Sequence, residues 1–144
     1  MGHSINHKQD DWRSKVAQLR SQLQSTRPDD FVRRIELCRQ AIKLIPRQID
    51  PEQWATFQNM LGENYRRWRG GNRIKNYEQA IKCYRRTLQV ISPHHMRHFW
   101  AEVQCQRRDI PNLYTPDTKP QYAIFSSRSE YECRGVFFLF RVCT

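Results

Sequence analysis

The chain has little glycine and no long apolar run. Glycine occurs five times in 144 residues, and no apolar stretch approaches the roughly 20 residues that a transmembrane helix requires. The first residues, MGHSINHKQDDW, contain no apolar segment of the kind found in secretory signals. These absences favour a cytoplasmic protein that does not enter a membrane.

Motifs for metal binding and catalysis are also absent. The five cysteines form no CxxC pair, and their odd number and wide spacing favour free thiols over a disulfide framework. His94 and His98 are one helical turn apart, but Cys105 lies about three turns further on and no HExxH pattern occurs. The cysteines and histidines show no nucleophile–base pattern, and Gly70-Gly71 follows no strand. We therefore expect no metal site, no cofactor and no enzymatic activity.

Acidic residues are scarce, with 14 Asp or Glu against 25 Lys or Arg and a formal net charge of +11. The excess is concentrated in residues 31–108, which hold sixteen basic and six acidic residues. A field of this size attracts polyanions or acidic proteins over long range. The charge alone does not distinguish between these partners.

A repeat with a period of 46 residues runs through the basic segment. The matched pairs are Phe31 with Tyr77, Ile35 with Ile81, Cys38 with Tyr84, Arg39 with Arg85, Ile42 with Leu88, Ile45 with Ile91, and Trp54-Ala55 with Trp100-Ala101. A fixed period between 20 and 50 residues is typical of stacked-repeat proteins. The repeat therefore predicts an array of similar units.

Apolar residues recur at steps of three and four, which predicts amphipathic helices. The clearest stripes are Trp12, Val16, Leu19 and Leu23; Trp54, Phe57, Leu61, Tyr65 and Trp68; and Tyr77, Ile81, Tyr84, Leu88 and Ile91. Pro51 suits the first turn of one helix, and Gly70-Gly71 is expected to end it. We predict an all-α fold with five helices, at 9–25, 29–45, 51–69, 74–91 and 94–107. They should pair into antiparallel hairpins and stack, because none can bury its stripe alone.

Within this repeat, Leu61-Gly62-x-x-Tyr65, Ala80-x-x-x-Tyr84 and Pro93 resemble the tetratricopeptide repeat signature. The unit holds about six residues more than the usual 34, in RWRGGNRIKN, and so looks like the long-loop tetratricopeptide arrays of bacteria that often accompany caspase-like CHAT domains. The resemblance covers residues 31–101. It implies an α-solenoid that serves as a scaffold for protein–protein interaction.

In this family a peptide usually lies along a concave groove built from the first helix of each pair. By register, the residues of the best-matched unit that would face such a groove are Thr56, Asn59, Glu63, Arg66 and Arg67. Asn59 and Arg66 would hydrogen-bond the peptide, and Arg67 would add positive charge. The expected partner is therefore an acidic peptide segment of another protein.

Sequence-independent RNA binding is the alternative function. Arg69, Arg73 and Lys75 form a basic loop that could contact phosphates. However, the aromatic residues around this loop are core residues by spacing, so they are not expected to form a base-stacking platform.

The helical domain is predicted to span residues 1–108, because the repeat register is lost after Cys105. Residues 109–144 contain Pro111, Pro116 and Pro120, followed by the apolar segments QYAIFSS and RGVFFLFRV. These two segments are consistent with a β-hairpin. An exposed VFFLF run would promote aggregation, so either this tail covers the fifth helix or it is foreign to the array.

Overall fold

Residues 7–110 fold into five α-helices in a computed structural model, which describes this part of the chain and its side chains from residue 11 onward. The helices are α1 (His7–Ser25), α2 (Phe31–Leu44), α3 (Pro51–Arg67), α4 (Arg73–Leu88) and α5 (Arg97–Arg108). No strand occurs among these residues. The all-α prediction with five helices is confirmed for this part of the chain, whereas the predicted hairpin lies outside the described residues.

Capping side chains set the beginning of three helices. Asp30, Asp50 and Asn72 each accept a hydrogen bond from the backbone N–H three residues later, at 3.1, 2.9 and 3.0 Å respectively. Each bond satisfies one of the N–H groups that have no partner within the first turn of a helix. Pro51 occupies the first position of α3, where its missing N–H is not needed. Local sequence therefore determines where α2, α3 and α4 begin.

The end of α3 differs from the prediction. The helix ends at Arg67, and Trp68 is already extended, with φ −69° and ψ 117°. Gly70 and Gly71 therefore do not terminate it; instead Gly71, with φ 70°, makes the turn into α4. The Asn76 side chain donates to the carbonyls of Trp68 at 3.2 Å and Gly70 at 2.8 Å, which fixes this connection.

The connection between α4 and α5 is longer than predicted. The fourth helix ends at Leu88 instead of 91, and the fifth begins at Arg97 instead of 94. Pro93 lies within the connection and disfavours helical geometry at the residue before it. Ile91 is nevertheless buried, with 4% of its surface exposed, so it completes the core from outside the helix.

Each helix packs against the next one in chain order. Contacts also join alternate helices. The guanidinium of Arg20 on α1 lies 5.5 Å from the ring centroid of Phe57 on α3. His95, just before α5, has Nε2 2.7 Å from Oε1 of Glu52 on α3. Thus both α1 and the segment just before α5 reach α3.

The predicted apolar stripes form most of the core. The buried members are Trp12, Val16, Leu19, Leu23, Trp54, Phe57, Leu61, Tyr65, Tyr77, Tyr84 and Ile91. Trp68, Ile81 and Leu88 are only partly buried and pack against the edge of this cluster. The stripe predictions are confirmed for α1 and, except for Trp68, for α3.

A polar network joins α1, α2 and α3. Arg34 on α2 donates to Oδ1 of Asn64 on α3 at 3.1 Å and to the carbonyl of Leu23 near the end of α1 at 3.1 Å. Asn64 is 5% exposed, and its Nδ2 donates to the Met60 carbonyl at 2.7 Å. The Arg34 guanidinium thus donates to the Leu23 carbonyl, which has no hydrogen-bond partner within α1 because it belongs to the last turn of that helix. No sequence pattern indicated this network, because Arg34 and Asn64 are 30 residues apart.

The cysteines only partly follow the prediction of free thiols. Cys38 and Cys83 are free and buried, whereas Cys105 takes part in a disulfide. The prediction was wrong for Cys105, because an odd number of cysteines excludes complete pairing but does not exclude a single bridge.

Cys38 and Cys83 should resist alkylation in the folded protein. Burial raises the pKa of Cys38 to about 12 despite the nearby Arg34, and that of Cys83 to about 11 despite Arg86 and Arg39. Because the thiolate is the nucleophile, reaction with iodoacetamide at neutral pH should be slower than in the unfolded chain by about a hundredfold or more. Mass spectrometry of the two cysteine-containing peptides, after brief labelling with and without denaturant, measures both rates. Rapid labelling of either thiol without denaturant would contradict its burial.

Candidate functional site

The five residues of the predicted groove lie on one face of α3. Thr56, Glu63 and Arg66 are half-buried, Arg67 is exposed, and Asn59 is 8% exposed. Thr56, Asn59, Glu63 and Arg66 follow one another at steps of three or four residues, and Arg67 is four residues after Glu63, so the five lie together on the helix surface. They therefore lie side by side, but their side chains make different contacts.

Arg66 is held by Glu63. Its Nη2 donates to both carboxylate oxygens, at 3.0 and 2.9 Å, and its Nε donates at 3.1 Å. The Tyr84 hydroxyl of α4 donates to the same carboxylate at 3.3 Å. Burial lowers the pKa of Arg66, but the hydrogen bonds and charge of Glu63 raise it above its usual value overall. A peptide carboxylate would therefore have to displace Glu63 before it could bind Arg66 fully.

Arg67 and Asn59 are better placed to receive a ligand. The Arg67 guanidinium lies 5.9 Å from the ring centroid of Phe31, a distance at which the cation–π attraction is weak and the charge stays accessible. Oδ1 of Asn59 is buried and has no hydrogen-bond partner among the described residues. A buried acceptor in this state is costly, and a donor from a bound peptide backbone would satisfy it.

A cleft of about 300 Å³ between α1 and α3 adjoins this face. Its lining residues are Arg13, Ala17, Arg20, Ser21, Gln24 and Gln53. Gln53 precedes Thr56 by three residues on the same helix, so the cleft lies next to the start of the predicted groove. Arg20 brings a positive charge to the cleft, and no carboxylate is among the described residues that line it, which favours an anionic ligand.

Sequence analysis did not identify the α1 residues of this cleft. Arg13, Arg20 and Gln24 recur at helical spacing on the polar side of α1, a pattern that any solvated helix face shares. Only the packing of α1 beside α3 distinguishes them, because it places this polar side along a neighbouring helix. No sequence signal for these residues existed beyond the charge of the arginines.

The predicted basic loop is only partly a loop. Arg69 lies in the connection between α3 and α4, whereas Arg73 and Lys75 belong to the first turn of α4. All three are exposed. However, Arg73 donates from Nε to the Tyr77 hydroxyl at 2.8 Å and lies 5.3 Å from the Tyr77 ring centroid. Tyr77 is 7% exposed and Trp68 is half-buried, so neither ring is presented for base stacking.

The described residues contain no group of three or more His, Cys, Asp or Glu side chains that could hold a metal ion. None of their helices combines the length and the apolar character needed to cross a bilayer.

Comparison with known proteins assigns no family to the chain. It matches no family model, no curated protein and no solved structure. The tetratricopeptide resemblance therefore stays a prediction from the residues that carry it.

Proposed function

We propose that this chain is a tetratricopeptide-type scaffold that binds an acidic peptide segment of another protein along α1, α3 and α5. The arrangement of the helices supports the proposal. The 46-residue offset relates α2 to α4 and α3 to α5, and α3 is contacted both by α1 and by the segment just before α5. Such an array presents the first helix of each pair as one continuous surface.

The observation that carries the proposal is the cleft between α1 and α3, because its α3 residue, Gln53, lies one helical turn before Thr56 at the start of the predicted groove. Glu63 offsets much of the charge of Arg66 on α3 itself. Arg20 in the cleft lies over the Phe57 ring and forms no ion pair with a carboxylate of the described residues. Arg67 lies over the Phe31 ring near the end of α3 and supplies a second cation. An extended acidic segment could therefore contact both arginines through charge-assisted hydrogen bonds.

Removing these two cations should weaken peptide binding. We expect Arg20→Gln with Arg67→Gln to lower the affinity for a labelled peptide of alternating Glu and Ser by tenfold or more, since hydrogen bonds to charged groups contribute about 1.5–3 kcal/mol each. Fluorescence anisotropy at about 150 mM salt, where diffuse attraction is largely screened, measures the change. Glutamine keeps part of the side-chain stem over Phe57 and Phe31, so the packing of both rings is disturbed little.

The matched control is Arg33→Gln with Arg85→Gln. Both residues are exposed, on α2 and α4, and neither lines the α1–α3 cleft. Equal losses in the two double variants would show that binding depends only on the diffuse field, which would overturn the proposal. Glu63→Gln provides an independent measurement: it frees Arg66, so peptide affinity should rise if α3 is the binding face.

Sequence-independent RNA binding is the second candidate function, and the exposure of Arg69 and Lys75 beside Arg73 favours it. Because the nearby rings are not accessible, contacts would be made to phosphates alone. Affinity for single-stranded RNA would then fall with salt, with a log–log slope of roughly −0.7 for each phosphate contacted. Tight RNA binding that is lost in Arg69→Gln with Lys75→Gln, together with no peptide binding, would favour this candidate over the scaffold.

A further inference from the structure

A second cleft, of about 320 Å³, lies between α2 and α4 and above α3. Its polar lining residues are Arg39, Lys43, Gln58, Tyr65, Gln79, Lys82 and Arg86. Gln58 and Tyr65 project from α3 about half a turn away from Thr56 and Glu63, so this cleft opens on the side opposite the proposed peptide surface. A ligand in this cleft would therefore not occupy the proposed peptide surface.

The charge of the cleft is positive on both walls. Arg39 and Lys43 come from α2, and Lys82 and Arg86 come from α4, while no carboxylate is among the lining residues. Cations this close to one another repel, and a bound anion placed between the two walls would relieve that repulsion. The cleft is thus a more concentrated basic site than the exposed helix faces around it.

Neighbouring carboxylates offset only part of this charge. Glu36 is three residues before Arg39 on α2, and Glu78 is four residues before Lys82 on α4. Glu36 is exposed and also accepts a hydrogen bond from Gln40 at 3.0 Å. The four cations of the cleft therefore outnumber the two carboxylates beside them. Burial raises the pKa of Cys83, which lies in the cleft, to about 11 although Arg86 and Arg39 lower it, so the thiol adds no negative charge at physiological pH.

Gln58 provides a separate indication of a ligand. Its side chain lines the cleft and is 2% exposed, and its Oε1 has no hydrogen-bond partner among the described residues. A buried, unpaired amide oxygen is costly, so it needs a donor such as a hydroxyl. The amide nitrogen can at the same time donate to an anionic oxygen. The hydroxyl of Tyr65 accepts a hydrogen bond from Arg39 and can donate its own hydrogen to the same anion.

We propose that this cleft binds a small phosphorylated sugar that carries two phosphate groups. The cations of the two walls would each hold one phosphate, in the manner that guanidinium and ammonium groups bind phosphate oxygens. A sugar hydroxyl between the phosphates would donate to Gln58. The volume of the cleft is at the lower end of the range for small-molecule sites, which fits a compact ligand and not a long one.

Isothermal titration calorimetry of the whole chain with fructose bisphosphate tests the proposal at about 150 mM salt, where diffuse attraction is largely screened. Arg39→Gln with Arg86→Gln should weaken binding by about tenfold or more, because both variants remove a charge-assisted contact to phosphate. Arg33→Gln with Arg85→Gln removes equal charge from the same two helices outside the cleft and should change the affinity by less than about twofold. Equal losses in the two double variants would overturn the proposal.

Two further variants test whether misfolding explains a loss of binding, and they distinguish the contacts to phosphate from the contact to the sugar hydroxyl. Lys43→Gln with Lys82→Gln changes exposed side chains, so it should fold normally and still weaken binding severalfold. Gln58→Met removes the amide's contacts to both the sugar hydroxyl and the anion, so it should weaken fructose bisphosphate binding more than inorganic pyrophosphate binding, because only the hydroxyl contact is specific to the sugar. An equal effect of Gln58→Met on both compounds would contradict the hydroxyl contact. The proposal would be refuted if fructose bisphosphate did not bind. It would also be refuted if RNA were the only compound that displaced bound fructose bisphosphate.

Discussion

Replacing Gly62 with valine should destabilise the protein by about 3 kcal/mol or more, at the upper end of the cost of overpacking a core. A β-carbon on Gly62 would lie 2.8 Å from Cε1 of Tyr84 and 3.2 Å from Cβ of Cys83. The ring of Tyr84 is fully buried, so it has no room to move aside. Gly62→Ala should cost less, since alanine regains about 1 kcal/mol of helix propensity relative to glycine. Chemical denaturation of the three proteins measures the order Gly, Ala, Val in decreasing stability.

The same branched side chain at an exposed position provides the control. Lys82→Val on α4 should change the free energy of unfolding by about 0.5 kcal/mol or less. A double-mutant cycle between Gly62→Ala and Tyr84→Leu then locates the steric conflict, because residues in contact show coupling of about 0.5–3 kcal/mol. Additive effects in that cycle would mean that α3 and α4 do not approach each other at Gly62.

Replacing Leu61 with alanine should cost about 2–5 kcal/mol, the range observed for truncating buried leucines. Leu61 is 6% exposed and belongs to the core cluster between α3 and its neighbours. For a domain of this size the loss should lower the melting temperature by at least about 8 °C. Circular dichroism during heating measures the shift.

Ile74→Ala is the matched control, because Ile74 is also a large apolar residue but is 46% exposed on α4. Its truncation should change the melting temperature by no more than a few degrees. Similar melting temperatures for Leu61→Ala and the unmodified chain would show that α3 presents a different face to the core.

Most helices could be predicted from the sequence, because the information that forms them is local. The stripes of Trp12 to Leu23 and Trp54 to Tyr65 repeat every three to four residues, and burial of an amphipathic face follows from that spacing. Pro51 marked a helix start that the structure reproduces. The 46-residue repeat also indicated that several helices share one kind of packing.

The candidate sites depended on tertiary structure. The predicted groove residues share one face of α3. The pairing of Glu63 with Arg66 follows from their spacing of three residues, but the position of Phe31 under Arg67 could not be read from the sequence. The neighbours that complete each surface come from other helices: Arg20 from α1 for one cleft, and Arg39 from α2 with Arg86 from α4 for the other.

The sequence by itself determined the all-α class of the described residues, the apolar face of α1 and α3 and the concentration of positive charge in residues 31–108. Only the tertiary structure decided where α3 ends, since Asn76 holds Trp68 and Gly70 through bonds across the loop. It also decided which of the Lys and Arg side chains line the same cleft. The physical reason is that helix formation depends on residues three or four positions apart, whereas a binding site depends on side chains that packing brings together from distant parts of the chain.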